Sequence, residues 1–73
     1  MDSFEIKSRA AAIAPVIRMA YSAEGKAYVS FDADSKCEKT VKDAEAAAEA
    51  VRNGAKCVCV EGVGTFTVTD AQG

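Results

Sequence analysis

Seventy-three residues, 49% hydrophobic and 27% charged, describe one ordinary globular domain over residues 1–73 and exclude a disordered chain. At this size a lone core supplies only about 3 to 5 kcal/mol of net stability without a staple or a partner, so association with something else is expected from the outset. A net charge of −2 and a pI of about 5.0 disfavour attraction to phosphate backbones and suit a basic protein surface.

Taken in chain order, Asp2 and Glu5 have the spacing of a capping box, and Ile6, Ala10, Ile13 and Ile17 follow a helical period. A helix from Ser3 to about Ala14 is expected, with a short strand over Phe4 to Lys7 as the competing reading. Pro15 disfavours helical geometry at Ala14 and removes a backbone donor, so the helix should stop or kink there. From Val16 the pattern alternates. Val16 to Tyr21 and Ala27 to Phe31 read as strands joined by the turn Ser22-Ala23-Glu24-Gly25-Lys26. Pairing Tyr21 with Ala27 then sets Met19 against Val29 and Ile17 against Phe31, all on one face.

A polar loop, Asp32 to Lys39, follows. Thr40 is a favourable N-cap with Asp43 in the first turn, Arg52 falls in the last turn, and Asn53-Gly54 supplies a stop. Val41, Ala44, Ala48 and Val51 make the inward stripe of this second helix. Lys42 and Glu49 point outward, with Glu45 and Arg52 at the stripe's edge. The last third gives a further hairpin, Cys57 to Glu61 and Thr65 to Thr69, centred on Val63. That pairing sets Val60 opposite Phe66 and Val58 opposite Val68, and it puts Cys57, Cys59, Glu61 and the threonines on the other side. The expected fold is α+β in the order αββαββ. Two hairpins form a four-stranded, mostly antiparallel sheet, with one or two helices on one face.

Motifs that carry chemistry are sparse. The chain has no histidine, which removes the commonest general base and the usual partner of a Ser or Cys nucleophile. Gly62-x-Gly64 lacks the third glycine, the following helix and the lysine of phosphate-binding loops. Asp32-x-Asp34 opens like a calcium loop, but its sixth and twelfth places hold Cys37 and Asp43 where glycine and glutamate are needed. Cys57 and Cys59 share one side of a strand, and Cys37 can approach them from the loop. Three thiolates suit a soft metal, or two a disulfide, but the odd count and the lack of a fourth ligand favour free thiols with no cofactor.

The stretch Glu49-Ala50-Val51-Arg52-Asn53-Gly54-Ala55-Lys56, with Glu61-Gly62-Val63-Gly64-Thr65-Phe66-Thr67-Val68, resembles the helix-to-hairpin junction of the bacterial histone-like HU/IHF DNA-binding family. There a helix ends near a glycine and a Gly-x-Gly-Thr-Phe turn follows. The resemblance covers about twenty residues and implies a DNA-binding or architectural function. That family continues into a basic arm, whereas no Lys or Arg follows Lys56 here.

Charge offers a different reading. Residues 1–31 carry three acids and four bases, while residues 32–73 carry eight acids and five bases. Asp32, Asp34, Glu38, Glu45 and Glu49 are the candidate partner-binding residues, interleaved with Lys36, Lys39 and Lys42. They suit an Arg/Lys-rich surface on a protein partner. This profile is similar in kind to small phage-encoded inhibitors, including anti-CRISPR proteins, some of which bind nucleic-acid-handling enzymes through acidic surfaces. The expected function is therefore a non-enzymatic protein-binding module, with a DNA-binding fragment or a Cys-based metal or redox module as alternatives. No apolar run approaches the roughly 18 residues of a membrane span, and Met1 to Glu5 lack the basic start of a secretion signal. A cytoplasmic location without membrane contact is expected, and two open sheet edges allow a homodimer.

Overall fold

The computed structural model describes residues 3–70. Its elements are α1 (Ser3–Tyr21), β1 (Tyr28–Asp32), β2 (Thr40–Val41), α2 (Ala44–Arg52), β3 (Cys57–Val60) and β4 (Gly64–Thr69). The four strands form one sheet in the order β1-β4-β3-β2. β4 runs antiparallel to both of its neighbours, and β2 runs parallel to β3. The α+β class, the two helices, a four-stranded sheet and the order αββαββ agree with expectation, but the expected strand Val16 to Tyr21 is helical and β2 is a strand that was not expected. The sheet, however, is mixed, and it contains one hairpin where two were expected.

The first correction is α1, which runs through Pro15 to Tyr21. The proline leaves the carbonyl of Ala11 without its helical donor, but Ala11 and Pro15 are both exposed, so the loss falls on the wet side of the helix. Val16 to Tyr21 alternates, yet Ile13, Ile17 and Tyr21 also recur every four residues, and the helical period continues the one already set by Ile6 and Ala10. The hairpin expected over residues 16–31 therefore does not form. Ile17 is fully buried in the core, whereas Met19, expected to face Val29, is 72% exposed. Asp2 of the expected capping box lies outside the described residues. The far end of α1 is tied to the end of β4, where the Tyr21 hydroxyl donates to Asp70 Oδ1 at 2.8 Å.

Released from that hairpin, β1 pairs with β4, setting Val29 against Val68 and Phe31 against Phe66. The two phenyl rings lie 4.9 Å apart, tilted by 43°, a favourable aromatic contact. In the β3–β4 hairpin the faces are as expected but the register is shifted by two residues: Val58 faces Phe66 and Val60 faces Gly64. An even shift leaves every side chain on its own side. The cause is the connection, a three-residue turn of Glu61, Gly62 and Val63 with Gly62 at φ 74°, closed by the Val63 N–H donating to the Val60 carbonyl at 3.0 Å.

The second helix starts later than expected. Asp43, not Thr40, is its N-cap, with the carboxylate accepting the Ala46 N–H at 2.9 Å. Thr40 and Val41 are drawn into the sheet instead: Cys59 N–H donates to the Lys39 carbonyl at 2.7 Å and Glu61 N–H to the Val41 carbonyl at 2.9 Å. The unit β2–α2–β3 is thus a parallel crossover. Ala47 and Ala50 join Ala48 and Val51 in the core, because α2 is buried on two sides, against α1 and against β3. Both helices cover the same face of the sheet, over Phe66, Val58 and Val68. Among the described residues no helix is long and apolar enough to cross a membrane.

The long helix makes a direct prediction. Ile17→Ala should destabilise the protein by about 2 to 5 kcal/mol, and Met19→Ala by no more than about 0.5 kcal/mol, measured by urea unfolding. A hairpin over residues 16–31 predicts large losses at both sites.

Candidate functional site

The sheet face away from the helices is polar. By register it carries Asp32, Thr65, Cys59 and Thr40 in one row, Ser30, Thr67 and Cys57 in the next, and Tyr28 with Thr69 in the last. The segment 33–39 leaves β1, rounds the end of the sheet beside Gly64 and returns over this face to enter β2. We call it the strap. Gly64 is what lets it pass: at φ 145°, a Cβ there meets Ala33 Cα at 2.7 Å and the Asp32 carbonyl oxygen at 2.9 Å. Only glycine combines that backbone conformation with so close an approach.

Local hydrogen bonds fix the strap. Asp32 accepts the Asp34 N–H at 2.9 Å and the Ser35 hydroxyl at 2.6 Å, closing an Asx turn. These two bonds, the one from Ser35 foremost, hold the Asp32 carboxyl below the usual carboxylate range. The Thr65 hydroxyl donates to the Ser35 carbonyl. The same strap leaves Thr65 only 4% exposed, although it lies on the polar face. Further along, the Cys37 thiol donates to the Lys39 carbonyl at 3.4 Å.

The three cysteines are reduced and half-buried. Burial, reinforced by a hydrogen bond with Cys37, pushes the Cys57 thiol up to about 11. In the register found, Cys57 faces Thr67 and Cys59 faces Thr65. Among the described residues no group of three or more Cys, Asp or Glu side chains is arranged to hold a metal ion.

The five acidic candidates do not form one surface. Asp32, Asp34 and Glu38 are exposed on the strap and at its root. Glu45 and Glu49 sit on α2, on the helical side of the sheet, and Glu49 is paired with Arg52 at 3.6 Å. Glu61 was missed by sequence reasoning. It projects from the β3–β4 turn into a shallow groove that it shares with Asp34, Lys36 and Ile6. The signal was present in Gly62, whose positive φ makes Glu61 a turn residue, not a strand residue. The junction resembling HU/IHF is a helix stop at Asn53 and Gly54 followed by the hairpin. Here the strand after the turn, β4, is paired on both sides within the sheet.

No family model, no curated protein and no solved structure matches the chain.

Two measurements probe the strap. Gly64→Ala should cost about 1 to 3 kcal/mol from backbone conformation alone, and more than Gly54→Ala, whose φ is also positive at 102° but whose surroundings are open. Because the Asp32 pKa is depressed on folding, its contribution is present above the ordinary carboxylate range and is lost as pH falls through its own lower value. The stability gap between the wild type and Asp32→Ala should therefore shrink on acidification below pH 3.8. A gap that stays constant with pH contradicts the Asx turn's role.

Proposed function

We propose that the chain is a small protein-binding module that presents its strap to a basic surface of a partner protein. The carrying observation is that Asp34 and Glu38 are displayed on backbone already fixed by the Asp32 turn, by Thr65 and by Cys37. Charges held in place lose little freedom on binding, and opposite charge on a partner speeds encounter and sets orientation. Glu61 extends the acidic rim at the turn.

A second feature supports the same class of function. Phe4 and Met19 are 79% and 72% exposed on α1, on the side away from Ile13 and Ile17, and Val16, 39% exposed, lies at the edge next to α2. Exposed aromatic and methionine side chains are enriched at protein interfaces. The proposed role is that of a non-catalytic inhibitor of a nucleic-acid-handling protein, in the manner of anti-CRISPR proteins. The HU/IHF-like alternative differs in its signature, since DNA retention weakens steeply with added salt.

The test is capture of a partner from the native host. Asp34→Lys with Glu38→Lys should reduce capture by about tenfold or more, with circular dichroism unchanged. Asp32 is left alone because its carboxylate holds the turn. Glu45→Lys with Glu49→Lys should leave capture intact. Capture that survives the strap reversal, or DNA retained in its place in a low-salt gel shift, overturns the reading.

A further inference from the structure

Cys37, distant in sequence from Cys57 and Cys59, approaches them on the strapped face of the sheet. Cys57 and Cys59 stand side by side on β3, roughly 6.6 Å apart along the strand, at the far limit of disulfide geometry. Cys37 comes to them from the strap. Its thiol donates to the Lys39 carbonyl, the same oxygen that accepts the Cys59 N–H. It also meets the Cys57 thiol across a shallow groove walled by Glu38, Lys39, Ala55 and Lys56. Half-burial holds both thiols in place and leaves the groove open to a small reagent.

We propose that Cys37 and Cys57 are a reversible disulfide site, closed by exchange with a small-molecule disulfide such as glutathione disulfide, which fastens the strap to β3. The Cys37 thiolate attacks one sulfur of glutathione disulfide. That S–S bond breaks, and the first glutathione leaves as a thiolate that takes up a proton from water. Cys57 gives its proton to solvent and attacks the Cys37 sulfur, and the second glutathione departs in the same way. Two protein thiols are oxidised to one disulfide, glutathione disulfide is reduced to two thiols, and the protein loses two hydrogens. The order follows from the thiols' settings. Burial, with the Cys37 thiol beside it, holds the proton on Cys57, and Cys37, carried on the strap that walls the groove, is the first nucleophile.

The closed ring runs from Cys37 to Cys57 and contains β2 and α2. Cross-linking its ends restricts the unfolded chain, and in the folded protein it replaces the weak Cys37 S–H bond to the Lys39 carbonyl with a covalent tie. A domain of this size gains from such a staple. The site stands independently of what the strap binds.

The experiment treats the purified protein with glutathione disulfide and follows it by intact mass, by fragmentation of tryptic peptides and by thermal melting. The expected product is a monomer lighter by two hydrogens, with Cys37 linked to Cys57. Its melting temperature should rise by several degrees and return with dithiothreitol. Cys59→Ser should form the same link, and Cys57→Ser should not. A Cys37–Cys59 link, a glutathione adduct that persists without closure, or a disulfide between two chains overturns the proposal. Should Cys57→Ser fail to fold, the wild-type fragmentation map alone decides between Cys57 and Cys59.

Discussion

Double pairing of β4 is the constraint on which the other elements depend. Phe66 is flanked in register by Phe31 on β1 and Val58 on β3, and Val68 has Val29 beside it. Phe66 is fully buried, so its ring anchors the apolar side of the sheet where α1 and α2 converge. This arrangement requires β1 to be free, and β1 is free only because residues 16–21 remain helical. The helix that passes through Pro15 is therefore a condition for the sheet. Moving Ile17 into a strand would take it from beneath the helices and remove Phe31 from Phe66 at once.

The two faces of that sheet are covered by different chemistry. Valine, phenylalanine and alanine fill the space under the helices, and nonpolar burial there supplies the main stabilising term. On the reverse side, threonine, serine and cysteine side chains meet a strap of polar backbone, and hydrogen bonds such as that from Thr65 to Ser35 join the layers. Each such bond contributes only about 0.5 to 1.5 kcal/mol net. The strap is thus attached more weakly than the helices, which makes it the part of the fold where a covalent tie or a partner has the most to add.

Particular residues explain how far the sequence was readable. Asn53-Gly54, Arg52 and the Val58/Val60 alternation announce the end of α2 and the faces of β3 because local chemistry and tertiary packing agree there. Val16 to Tyr21 fits both a period of two and a period of 3.6, and only the helical phase inherited from Ile6, Ala10 and Ile13 separates them. Thr40 and Val41 have no local signal for a parallel strand, since their partners lie in β3, beyond a whole helix. The hairpin register turned on whether the turn was centred on Gly62 or Val63. The same limit applies to the candidate site. Acids close in sequence were divided between opposite sides of the sheet, and Cys37 was brought to Cys57 by a strap whose path depends on Gly64.

The outer strands are unequal. β2 offers two residues before the chain turns into α2, whereas β1 offers five, with neither proline nor lysine among them. Addition of a further strand is thus confined to one flank of the molecule. If two copies join there about Ser30, Val29 of each faces Phe31 of the other, and both long flanks are consumed in a single event. What remains outermost at either end is the stub of β2, too short to template a third copy, so such growth is self-limiting: it stops at a pair and does not propagate into a fibre.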